Sequence, residues 1–223
     1  MGAGLPGAHA NHGPRYFPYP KRPDALDRLR AAVEIHGIRV AGELKVRVLF
    51  DDPDAIELYH ACGDMKLPII VHLDYPIDRG RGRYPRSNYW YGGNIEAFER
   101  ALVACPETTF IGHAPGFWAH ISGDDRFDKE LYPEGPVLPD GKVPAMLREH
   151  TNLYADLAAG SALTAISRDR EFGRAFLIEF QDRLLFGRDR FDSSLYDYLT
   201  SLELPQDAWD KIAFRNAQIL LGE

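Results

Sequence analysis

Residues 67–74 read LPIIVHLD, a short apolar run that ends on a histidine and an aspartate. Two later stretches repeat the plan: residues 108–116 read TTFIGHAPG and residues 183–192 read RLLFGRDRFD. Apolar runs this short, bounded by Gly, Pro or Asp, suit strands buried on both faces, as in parallel sheets. In a β/α barrel the C-terminal end of each strand opens on the mouth where catalytic groups collect. His72, His113 and Asp189 take those strand-end places, and all three are metal-ligand types. One such residue would mean little. Three on successive β/α units point to one shared metal site.

Outward from these runs, helical and strand patterns alternate. Strands are predicted at 38–49, 68–73, 109–112, 153–157 and 184–186. Helices are predicted at 25–35, 53–65, 94–104, 143–149, 171–181, 195–202 and 206–221. Asp24 is placed to cap the first helix and Gly37 to end it; Pro53 opens the second and Asn94 caps the third. Residues 15–19 (RYFPY) have the composition of a short strand weakened by Pro18. The βαβ order implies a parallel sheet with right-handed crossovers. Residues 74–91 and 114–142 read as loops, far longer than the roughly 2–6 residues usual in such units, and long loops on that face tend to be functional. Residues 1–22, rich in Gly and Pro, carry no period and are expected to be irregular. Residues 23–223 are expected to form one barrel domain.

The whole chain sets bounds. Its 223 residues are enough for one domain with a real core. An apolar content of 45% and a charged content of 26% are ordinary for a globular protein. A net charge of −7 argues against nucleic acid as a partner. No stretch approaches the ~18 apolar residues of a membrane span, and the first residues carry no apolar signal segment. Cytoplasmic location is the default expectation, with Cys62 and Cys105 as reduced thiols in or near the core. The expected partner is a small-molecule substrate, and a homo-oligomer is compatible with the sequence.

The ordered set GELK (42–45), PIIVH (68–72), FIGHAPG (110–116), NLYAD (152–156), LLFGRD (184–189) and NA (216–217) resembles the amidohydrolase superfamily, in particular its amidohydrolase-2 branch of metal-dependent hydrolases and aminocarboxymuconate-semialdehyde decarboxylase-like enzymes. The resemblance implies a TIM-type (β/α)8 metal-dependent hydrolase barrel around one or two divalent metals. On it, GELK is the fourth strand, His72 the fifth-strand ligand, His113 the sixth-strand histidine and Asp189 the eighth-strand aspartate. It implies metal-ligand roles for His72, His113, Asp189 and Glu43, with zinc as the expected ion. Asp189 would take the proton from activated water, and His113 would steady a developing oxyanion. Hydrolysis of a small carboxylated or cyclic substrate is the leading expectation. Non-oxidative decarboxylation at the same metal is the alternative, and an inactive remnant the third.

One family element is missing. The HxH pair of the first strand has no counterpart; the nearest candidate, His9 and His12, is an HxxH whose members would face opposite sides of a strand. We read the chain as an incomplete barrel, strands three or four to eight, from a truncated gene or partial sequence. A shortened family member would leave two parallel edges unpaired.

Each residue also has a plainer reading. Asp189 could pair with Arg188 or Arg190. Glu43 and Lys45 share one strand face, and whether Glu43 ligates metal or pairs with Lys45 stays open. Trp118 and His120 are expected to line a substrate pocket, with packing under the loop as the alternative. Asp156 is expected to orient substrate or a metal ligand. Arg79, Arg81, Arg83 and Arg86 are read as a solvated loop. His9, His12, His36, His60 and His150 are read as structural or exposed.

Overall fold

The computed structural model describes residues 15–73, 92–124, 126–189 and 191–223. Its centre is a five-stranded sheet in sequential order: β1 (Ala41–Leu44), β2 (Ile69–His72), β3 (Phe110–His113), β4 (Leu153–Asp156) and β5 (Leu184–Leu185). Every pairing is parallel. Among the described residues β1 and β5 are its edges, as expected of an incomplete barrel. The connections carry α1 (Ala25–His36), α2 (Pro53–Asp64), α3 (Ile95–Ala104), α4 (Pro115–Trp118), α5 (Lys142–Glu149), α6 (Ala159–Ser167) and α7 (Arg170–Glu179). After β5 come α8 (Ser194–Ser201) and a helix built from α9 (Gln206–Asp210), a π-turn and α10 (Asn216–Leu221).

Period-2 alternation splits the strand residues into two apolar groups. Ile69, Val71, Phe110, Leu153, Ala155 and Leu184 belong to the main core with the helices, where Phe110 meets Tyr59 and Phe98 in edge contacts at centroid distances of 5.3 and 6.0 Å. Val40, Ile70, Ile111 and Leu185 form a second cluster on the opposite face, with Tyr154 and, from α10, Ala217, Leu220 and Leu221. That second face is the barrel interior, and the polar strand-end residues continue it. Cys62 and Cys105 are buried free thiols, and burial pushes the Cys62 thiol up.

Several local expectations are corrected. Residues 15–19 form no strand; Tyr16 and Phe17 pack against the core from an irregular segment, consistent with Pro18 lacking a ladder donor. The strand expected over 38–49 pairs only at 41–44. Its register shifts there, the charged Lys45 and Arg47 follow, and Leu49 returns alone to bridge Gly92. Asp24 does not cap α1 with its side chain, because Arg22 and Arg28 occupy its carboxylate. Asn94 does cap α3, accepting from the Ala97 amide at 3.0 Å. The reading of 114–142 as loop missed α4, and α6 was not foreseen. The loop reading of 74–91, with its arginines, and His9, His12 and Arg190 lie outside the described residues.

Gly112 has a reason the sequence does not disclose. A methyl group there would sit 2.4 Å from the Phe117 ring, which α4 folds back against β3. The substitution Gly112→Ala is expected to lower unfolding free energy by about 1–3 kcal/mol through overpacking. A urea denaturation midpoint unchanged from the parent would contradict this packing.

Candidate metal centre

β2 and β3 pair so that His72 and His113 are direct neighbours. Their ring centroids lie 5.3 Å apart. Glu43 approaches from β1. Its carboxylate is held where Gly42, at φ +115°, brings the strand against β2; a Cβ at Gly42 would lie 2.6 Å from the Ile70 carbonyl oxygen. One ligating atom from each of Glu43, His72 and His113 falls within 4.8 Å of the others. Glu43 Oε2 lies 3.1 Å from His72 Nδ1 and accepts from Lys45 Nζ at 2.6 Å. The His72 contact, aided by Lys45, holds the Glu43 carboxyl well below the usual range although burial opposes it. Glu43 pairs with Lys45 and also stands beside the histidines.

His113 is fixed from the next strand. Its Nδ1 lies 2.8 Å from Asp156 Oδ1, with its side chain only 5% exposed. Asp156 is itself fixed: Oδ1 accepts from the Ala158 amide at 3.2 Å, and its carbonyl accepts from the Trp118 indole at 3.1 Å. This is the carboxylate–histidine arrangement that sets a tautomer and raises ligand basicity, directing Nε2 elsewhere. Burial lowers the His113 pKa, but Asp156, Glu43 and Asp189 outweigh it and the net shift is upward. Directly after His113, Ala114 adopts φ +81° and ψ 172°, a region that is essentially glycine's own. Ala114→Gly is expected to raise stability by about 1 kcal/mol or more as that strain is relieved. A lower melting temperature for the variant would refute the strain assignment.

The interior face lines one cavity of about 750 Å³, part of it open to solvent, together with Glu43, His113 and Asp156. Val40, Ile70, Ile111, Leu185, Leu220 and Leu221 give it an apolar floor; Glu43, His113, Asp156 and Asp189 give it acidic and imidazole groups. Arg15 and Arg188 also line it.

The amidohydrolase family model matches residues 9–222. The chain belongs to the amidohydrolase family. Within that family it matches the amidohydrolase-2 branch, whose barrel the five parallel strands partly reproduce. Its fold is similar to an uncharacterised TIM-barrel protein, Bb4693, from Bordetella bronchiseptica: TM-score 0.63 at 22% identity, over 94% of this chain and 66% of that one. It is similar to 5-carboxyvanillate decarboxylase from Sphingomonas paucimobilis, with TM-score 0.56 at 14% identity over 91% of this chain and 64% of that one. A dihydroxybenzoic acid decarboxylase from Polaromonas sp. JS666, with bound manganese and the inhibitor 2-nitroresorcinol, matches with TM-score 0.52 at 16% identity, over 92% of this chain and 66% of that one. The chain thus spans about two thirds of the length of these proteins. A comparison with curated proteins returns no match.

Two imidazoles and a carboxylate in reach of one point fit the divalent metal the family uses. The structure brings Glu43, His72 and His113 together. Asp189, expected as a ligand, lines the same cavity but stands outside that trio and is exposed. Asp156 is found supporting His113, a role the β3–β4 register creates. Trp118 and His120 do not line the cavity. Trp118 is buried against Phe117 and Phe176, and His120 bonds the Gly116 carbonyl and stacks on Phe127 at 4.4 Å. The segment winds into a helical turn that carries both side chains behind the site.

Proposed function

We propose that this family member is a metal-dependent hydrolase of a small, carboxylated or cyclic substrate, with zinc as its ion. The observation that carries the reading is the Glu43–His72–His113 trio, two of whose members, Glu43 and His113, line a cavity that also holds Asp189. When bound, a divalent ion there supplies Lewis acidity and lowers the pKa of water. Glu43 and the two histidines would hold it. Asp156 orients His113, and Lys45 balances the charge on Glu43. Asp189, exposed at the cavity wall, accepts the proton of the attacking water. The apolar floor receives the body of the substrate and excludes bulk water from it.

A second reading is decarboxylation of a carboxylated aromatic acid. Arg15 and Arg188 in the wall of the cavity favour it, since guanidinium groups pair with carboxylates. Two of the similar folds are named as decarboxylases of such acids. We place the substrate among small molecules, not nucleic acids or membranes. No helix of the described residues is long and apolar enough to cross a membrane.

The test is product analysis with protein loaded with zinc or manganese, against a panel of aromatic esters, lactones, amides and carboxylic acids. Water incorporation without gas release is the expected result. Release of CO2 from an acid overturns hydrolysis in favour of the second reading. Full metal loading with no turnover of either kind would favour the inactive remnant.

A further inference from the structure

Behind the metal centre, α6 and the Arg168 that caps its C-terminus carry two buried polar groups that find no partner among the described residues: Ser161 Oγ and Arg168 Nη1. Both residues line one cleft of about 200 Å³, solvent included. Its other walls come from α4 and from the segment that includes Leu131, Tyr132 and Pro133. The Arg168 side chain is 1% exposed. Its remaining donors are used: Nε donates to the Gly135 carbonyl at 2.7 Å, and Nη2 donates to Asp124 Oδ2 at 2.8 Å and to the carbonyls of Glu134 and Pro136. Asp124 also accepts from the Ser122 hydroxyl and the Arg126 amide. Arg126 adds a second guanidinium, bonded to the same Glu134 carbonyl.

A buried, unpaired donor costs about 1–3 kcal/mol, and more on a charged group. Two of them in one cleft, one on a cation, call for an acceptor. We propose that this cleft is a binding site for a small monovalent anion of chloride to formate size, held by Arg168 Nη1 and the Ser161 hydroxyl. The apolar walls leave it little hydrogen-bonding capacity for a larger polyanion. The site stands apart from the metal donors but touches their supports: Pro115 follows the His113–Ala114 pair, and the indole of Trp118 bonds the Asp156 carbonyl.

The test uses the full chain, with sodium formate and sodium chloride titrated against sodium gluconate at constant ionic strength. Thermal melting is the readout, alongside anomalous scattering from bromide-soaked crystals. Saturable stabilisation by formate or chloride is expected, together with bromide density between Ser161 and Arg168. Ser161→Ala keeps the buried ion pair intact and should weaken anion affinity about tenfold, the loss of one charge-assisted hydrogen bond. Arg168→Lys serves as a second variant that keeps the charge but removes the donor fork. Equal melting in all three salts overturns the proposal. So does an ordered water alone in the cleft, or an unchanged titration in Ser161→Ala.

Discussion

Replacing Arg168 by methionine is expected to lower the unfolding free energy by about 3–5 kcal/mol, the usual result of removing one partner of a buried ion pair. The loss has two parts. Asp124, a side chain 10% exposed, keeps its charge without its guanidinium. The carbonyls of Glu134, Gly135 and Pro136 lose the donor that ties residues 134–136 to α6. Methionine retains much of the aliphatic bulk, so the measurement isolates polar loss from cavity formation. Guanidinium chloride denaturation with two spectroscopic probes is the check. A loss below about 1 kcal/mol would mean that solvent reaches Asp124 readily and that the pair counts as a surface bridge.

His72→Ala is expected to weaken divalent-metal affinity by at least about 100-fold, since even residues that merely support ligands cost 10- to 100-fold. Asp156→Asn, which leaves the trio intact but disturbs the His113 tautomer, should fall within that smaller range. Asp189→Asn should leave metal stoichiometry near the parent value while abolishing turnover, because Asp189 stands outside the trio and its amide is a poor base. Elemental analysis after dialysis, with calorimetric titration of zinc and manganese, separates the three. Loss of metal from Asp189→Asn equal to that from His72→Ala would return Asp189 to the ligand set.

The strand-end places of His72 and His113 are legible in the sequence alone, because a parallel strand buried on both faces tolerates a polar residue mainly at its end. The sheet's parallel sense and most helices followed from the same alternation. What the chain did not disclose depends on register. Asp156 was visible as a strand-end aspartate, but its bond to His113 exists only because β3 and β4 pair Gly112 with Ala155. The helix α6 went unread since its sequence, AGSALTAIS, is small, Gly-containing and Thr-containing, with little polar contrast between faces. Trp118 and His120 do not line the cavity because residues 115–118, read as loop, start a helix at Pro115, and the space left by Gly112 lets the segment coil inward.

His72 and His113 sit in one register row across β2 and β3, and Asp156 reaches the same row from β4. A one-residue slip of any of these strands would turn its polar end group to the helix side. Metal capture during refolding should therefore lag behind hydrophobic collapse and appear only when β1, β2 and β3, which carry the Glu43–His72–His113 trio, have locked together. The metal-binding signal is thereby a clock for the assembly of the sheet.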